Sequence, residues 1–237
     1  MKSGASMSGV TADQSMEKIY ARYKCEPPSS ISIPAFGKCP PDLNAYPKAE
    51  RKVQLLFVGW NPPKPFGGFW SLEFDDNLRS ELHRVLVELK KIKASTPDAT
   101  FLDEFLKTGF YFIHAVKCWC CAKYQGFGRG AKAMNRKRIG LPLLRACVDA
   151  HLRDELRDFS PEKVCLLGKL PYTALSCISE KLGRMKVAPT EGKVLEPQAS
   201  GFDWPILYSC FPSSQKPPRS SLNQRELLRR DLDSFLS

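Results

Sequence analysis

Four short apolar runs, separated by stretches of helical periodicity, constrain this chain more than any other feature. The runs are Gln54-Leu55-Leu56-Phe57-Val58-Gly59, Phe110-Tyr111-Phe112-Ile113, Lys163-Val164-Cys165-Leu166-Leu167-Gly168 and Ile206-Leu207-Tyr208-Ser209-Cys210. Each is too short for a helix and shows no alternation of apolar and polar residues, so each reads as a strand buried on both faces. Between them, Leu78, Leu82, Val85, Leu86 and Leu89 recur at helical spacing. Further helices are expected from Pro142 to Asp158, with proline at the first turn where a missing N–H costs nothing, from Pro171 to Lys181 and from Leu222 to Leu236. Strands alternating with helices predict an α/β fold, a three-layer α/β/α sandwich around a central four-stranded, mainly parallel sheet.

The length of 237 residues, with 43% hydrophobic and 26% charged, suits one globular domain and excludes a disordered chain. Residues 1–16 carry no periodicity and read as a loose tail, leaving 17–237 as a single domain. No apolar run approaches the roughly 18 residues of a membrane helix, and the opening is too polar for a signal peptide, so the expected location is cytoplasmic, nucleoid-associated if bacterial. The nine cysteines then read as buried thiols and metal ligands before disulfides. The 36 Lys+Arg against 25 Asp+Glu leave a net charge of +11, which favours a polyanionic partner, nucleic acid first. Residues 119–140 concentrate that charge: Lys123, Arg129, Lys132, Arg136, Lys137 and Arg138 stand among glycines without one acid. This basic insertion loop is suited to DNA phosphates, which position a protein without reading sequence.

In an open parallel sheet, ligands bind beyond the carboxyl ends of the strands. Those ends carry unusual residues. Gly59-Trp60-Asn61-Pro62-Pro63 follows the first strand and leads to Phe66, Gly67, Gly68, Phe69 and Trp70. His114 and Lys117 follow the second strand, and Phe211-Pro212-Ser213-Ser214 follows the fourth. Read alone, Asn61 is a turn residue, His114 a structural histidine and the aromatics core packing.

Taken in order, these segments resemble the uracil-DNA glycosylase superfamily. Phe57-Val58-Gly59-Trp60-Asn61-Pro62-Pro63 is similar to its first motif in the Gly-x-Asn-Pro form. Phe110-Tyr111-Phe112-Ile113-His114-Ala115-Val116-Lys117-Cys118 is similar to a segment of the families that hold an iron–sulfur cluster. Ala146-Cys147, Pro161 to Gly168, and Ser209-Cys210-Phe211-Pro212-Ser213 in the place of the second motif follow in the same order, so the resemblance covers roughly residues 25 to 236. It implies excision of a damaged base from DNA. Such a base must be flipped out of the duplex at a cost of roughly a few kcal/mol, then met by positioned water, a stacking surface and donors to the departing base.

The resemblance implies these roles residue by residue. Asn61 would orient water against an oxocarbenium-like centre that needs no strong base, and His114, where many families have asparagine, would meet the base. Gly59 and Trp60 would line the base site, Phe66 or Phe69 would stack on the base, and Ser213 would complete the loop. Lys117, Ser214, Lys216 and Arg219, with Arg136, Lys137 and Arg138 of the basic loop, would contact DNA. Phe211 stands where His of His-Pro-Ser is usual, and a phenyl ring donates no hydrogen bond. The expected protein is a monomeric, monofunctional glycosylase acting on deaminated bases, uracil first. The alternative is a catalytically weak or inactive lesion-binding member of the same fold. Cys25, Cys39, Cys118 and Cys147 occur in the order of the family's cluster ligands, with wider spacings. They suit a [4Fe–4S] cluster or Zn by composition, in a structural role that leaves the chemistry to other residues.

Overall fold

A computed structural model describes residues 47, 49, 51–60, 68–70, 72, 76–93, 98–116, 144–145, 148–185, 191–212 and 223–237. Strand β1 is Leu55–Gly59, followed by helices α1 (Asn77–Glu88) and α2 (Asp98–Lys107) and strand β2 (Phe110–His114). Helix α3 (Arg153–Phe159), strand β3 (Lys163–Leu167) and helices α4 (Lys169–Ile178) and α5 (Glu180–Gly183) come next. Strand β4 (Lys193–Leu195), helix α6 (Pro197–Ser200), strand β5 (Ile206–Ser209) and helix α7 (Gln224–Leu236) complete the order.

The strands form one sheet in the order β2-β1-β3-β5-β4. The pairs β1–β2, β1–β3 and β3–β5 are parallel, and β4 lies antiparallel on β5. The expected four-stranded sheet therefore gains a fifth strand. β4 has only three residues, of which Lys193 is exposed, and a piece so short at a sheet edge leaves no periodic signal.

Alternate side chains leave opposite faces of the sheet. On one face, Phe57 and Phe110 pack against Phe105 of α2, with ring centroids 5.7 and 5.6 Å away, and Phe69 stacks on Phe112 at 4.3 Å. Helix α7 covers the same face further along, where Ser209 donates to the Asp231 carboxylate at 2.7 Å. On the other face, Tyr111 meets Phe159 of α3 at 4.6 Å and Tyr208 meets Tyr172 of α4 at 5.4 Å. The result is a helix–sheet–helix sandwich. Phe57, Phe69, Phe101, Phe105 and Phe112 are fully buried, and burial of each such side chain contributes about 1.5–3 kcal/mol.

Helix boundaries follow local chemistry. Asp76 caps α1 by accepting the Arg79 backbone N–H at 2.7 Å. The apolar stripe Leu78, Leu82, Val85, Leu86 then faces the core. Asn223 and Glu226 form a reciprocal capping box at the start of α7. The helix expected over 142–158 is helical at every described position: 144–145 are α-helical and a π-turn at Val148–Leu152 runs into α3, with Val148, Leu152, Leu156 and Phe159 buried along it. The helix expected over 171–181 breaks at Ser179. That residue adopts an extended backbone and accepts Leu182 N–H to start α5. Helix α2 is an element beyond the expected ones, and its Phe101, Leu102 and Phe105 recur at helical spacing.

Candidate functional site

β1 lies between β2 and β3. The chain leaves β1 toward β2 on one side, whereas β3 is followed on its other side by β5 and β4. Connections from the two central strands thus diverge at their carboxyl ends, which is the topological switch point where sheets of this kind have their ligand crevice.

The β1–β2 wall of this crevice is tightly specified. Gly59 pairs with His114 in register. Pairing continues past both strands: Ala115 N–H donates to the Gly59 carbonyl at 2.9 Å and Val116 N–H to the Trp60 carbonyl at 2.8 Å. These bonds hold the segment entering Asn61 against the segment leaving His114. Trp60, the last described residue before Asn61, is half-buried and packs on the core.

His114 is only 3% exposed. Its imidazole stands edge-to-face against Phe112, with centroids 4.8 Å apart, and Phe112 is stacked on Phe69. Phe110, Phe112 and His114 share one face because they are alternate residues of β2. His114 is thus the terminal ring of an aromatic column that fixes its orientation from below.

Gly59 is closely approached by the neighbouring strand. A Cβ at this position would lie 2.6 Å from Phe112 Cζ and 3.6 Å from His114 Cδ2. The space on the Cβ side of Gly59 belongs to Phe112, so the glycine admits the ring that carries His114. The expectation that Phe69 stacks on a base is corrected. Its ring is fully buried among Trp70, Phe101, Phe105 and Phe112, which is a core position with no exposed face for a base. Trp70 seals the edge of the sheet, its indole N–H donating to the outward Phe112 carbonyl at 3.1 Å.

The opposite wall is built from the ends of β3 and β5. Gly168 ends β3 and caps α4 with φ +95 and ψ 177, a conformation open essentially to glycine alone. Its N–H donates to the Ser209 carbonyl at 2.8 Å, and a Cβ on Gly168 would lie 3.4 Å from Phe211 Cβ. Phe211 is 37% exposed between buried Cys210 and buried Pro212. It is an outward phenyl group at the rim of the crevice. The sequence marked it as a departure from the second motif without indicating that it is exposed.

Cys210 lies beneath this rim. Its thiol donates to the Gln224 carbonyl at 3.0 Å, and burial, reinforced by the nearby Glu191 and Asp231 carboxylates, pushes it up to about 11. Burial likewise raises Cys165 and Cys177, as expected of core thiols. Among the described residues no group of three or more His, Cys, Asp or Glu side chains is placed to hold a metal.

Asn61, Phe66, Lys117, Arg136, Lys137, Arg138, Ser213, Ser214, Lys216 and Arg219 lie outside the described residues, as do the candidate ligands Cys25, Cys39, Cys118 and Cys147 and the basic loop. Of the expected site, the structure brings together Gly59, Trp60 and His114 and turns Phe69 into the core. No helix among the described residues is long and apolar enough to cross a membrane. Compared with models of known protein families and with curated proteins, the chain matches none.

Proposed function

We propose that this chain is a monofunctional DNA glycosylase that hydrolyses the N-glycosidic bond of a flipped, deaminated base, uracil first, and leaves an abasic site. The observation that carries this reading is the pairing of Gly59 with His114 and of Trp60 with Val116 at the sheet's switch point. It sets the entry to Asn61 beside a buried, ring-supported imidazole.

In the proposed reaction the Asn61 carboxamide orients a water toward C1′ while the glycosidic bond lengthens. The electron pair of that bond stays with the base, and a ring N–H of His114 donates to the oxygen that gathers the negative charge. The water oxygen then bonds to C1′; one of its protons remains on the new hydroxyl and the other neutralises the departing base. A neutral amide suffices because the sugar cation is a strong electrophile. Burial of His114 strengthens its hydrogen bond, since little water competes for it. The uncapped first turn of α4 adds the N–H groups of Lys169 and Leu170 for a phosphate next to the flipped nucleotide. Cluster or zinc binding by the four cysteines would tie the N-terminal segment to the sheet and enters no step of this reaction.

The test is incubation with uracil-, hypoxanthine- and xanthine-containing oligonucleotides, then alkali to break the chain at abasic sites. Strand breaks are expected, with Asn61→Ala and His114→Ala each slowing single-turnover cleavage by about 100-fold or more. An exposed Phe211 where a donor would serve catalysis favours a second reading, a lesion-binding member of this fold. Tight binding of the modified strand with no breaks would select it.

A further inference from the structure

A basic cleft of about 510 Å³ lies at the other end of the sheet, where the carboxyl ends of α1 and α2 converge beside the start of β2. Lys90, Lys91 and Lys93 line it from the segment after α1, Lys107 lines it from the last turn of α2, and Ile92 gives it an apolar floor. Among the described residues no carboxylate pairs with Lys90, Lys91 or Lys107. The one acid of the cleft, Glu104, accepts the Lys93 backbone N–H at 3.1 Å.

Lysines at helix ends commonly do no more than balance the helix dipole, and magnitudes decide whether that suffices here. Two helix ends carry about half a negative charge each, and Glu104 adds one. Four ammonium groups exceed this by about two charges. The surplus converges on a concavity instead of spreading along a convex face.

A second observation is independent of charge. Lys90 sits at φ +55 just past α1, where Lys90 N–H donates to Val87 O and Lys91 N–H to Leu86 O. Glycine fits such a left-handed helix stop at least cost. Only Lys90 and Ser160 among the described non-glycine residues adopt positive φ. A strained lysine at the lip of a lysine-lined cleft is the kind of local misfit that a binding requirement sustains.

We propose that this cleft binds a compact, multiply phosphorylated small molecule. Its volume falls in the range of small-ligand pockets, about 300–1,000 Å³. Ammonium groups act as point charges toward phosphoryl oxygens, and the Ile92 floor suits an attached organic group. Five-residue strands hold the cleft about 16 Å or more from the crevice. The site is therefore separate from the proposed base pocket and stands whether or not the chain is a glycosylase.

The experiment is calorimetric titration of the full chain with inorganic tripolyphosphate at low and moderate salt. Saturable one-to-one binding that weakens with salt is expected. Lys90→Gly and Lys107→Gln should each weaken it about fivefold, and together about twentyfold, as expected for loss of exposed charge-assisted contacts. Lys90→Gly should melt no lower than the parent, because glycine relieves the backbone, so lost binding is not lost folding. Equal affinity of parent and double variant, or no saturable heat up to about 10 mM ligand, overturns the proposal (about 2.7 kcal/mol of binding is the least such a titration would register). An undamaged duplex that loses as much affinity in the double variant as tripolyphosphate does would also overturn it, making the cleft a DNA-backbone contact.

Discussion

Gly59→Ala tests whether the glycine exists to admit Phe112. The added methyl would stand 2.6 Å from Phe112 Cζ and 3.1 Å from Cε2, against an ordinary contact of 3.4–4 Å. Phe112 would have to retreat by roughly 1 Å in a close-packed interior. Phe69 blocks it, stacked at 4.3 Å, and His114 stands against its edge at 4.8 Å. Overpacking of this kind costs about 1–3 kcal/mol. Gly59 lies in a strand without positive φ, so alanine recovers about 0.4–1 kcal/mol by restricting the unfolded chain. The net expectation is a loss of about 0.5–2 kcal/mol, read as a lower midpoint in urea unfolding. Phe112→Leu removes the ring that is struck. Gly59→Ala combined with Phe112→Leu should then lose at least about 0.5 kcal/mol less than the sum of the single changes. Additive losses, or a Gly59→Ala midpoint equal to that of the parent, would refute the packing account of this residue and the aromatic support of His114.

Three further outcomes are expected. Gly168→Ala should cost about 1–3 kcal/mol from backbone strain, since its Cβ meets nothing closer than 3.4 Å, and Phe211→Leu should not rescue it in the same urea assay. Burial, only partly offset by its hydrogen bond from Arg79 and the Arg79 charge, holds Asp76 above 3.8, so the folded state binds its proton more readily than the unfolded one. Asp76→Asn should therefore gain in stability relative to the parent as pH rises through the folded value, and lose that advantage below 3.8, measured as unfolding midpoints against pH. Cys165 and Cys210, buried and raised, should resist iodoacetamide at pH 8 in the folded protein and react after denaturation, as read by peptide mapping.

The sheet core was legible because its signal is local. A strand buried on both faces needs an unbroken apolar run, and Leu55–Gly59 and Phe110–His114 have one, as Val164–Leu167 and Ile206–Leu207 do. β4 was invisible because an edge strand of three residues pairs on one side only and buries a single side chain, Leu195, too few to set a period. Phe69 illustrates the harder failure. Its neighbours Gly67 and Gly68 suggest an exposed loop, yet the position is decided by Phe101, Phe105 and Phe112, which lie more than thirty residues away in sequence. Spacing gives a side chain's local phase but not the distant ring that covers it. The ring that a Cβ on Gly59 would strike likewise lies on the neighbouring strand, beyond the reach of local spacing.

The two ends of this sheet differ because parallel strands make them different. At the carboxyl ends each of the four parallel strands delivers a loop, so chemically active side chains from distant segments meet; the Gly59–His114 register brings two such loops within one hydrogen-bonded pair. At the amino ends helices finish, and their carbonyls attract cations, which is where Lys90, Lys91, Lys93 and Lys107 collect. Dipole balance explains some of that charge and leaves about two positive charges over. If that surplus were only a solubility device, nothing would keep a lysine at φ +55 where glycine is less strained. The backbone at Lys90, more than the charge count, therefore separates a binding cleft from a solvated surface, and Lys90→Gly probes it without disturbing the carboxyl-end crevice.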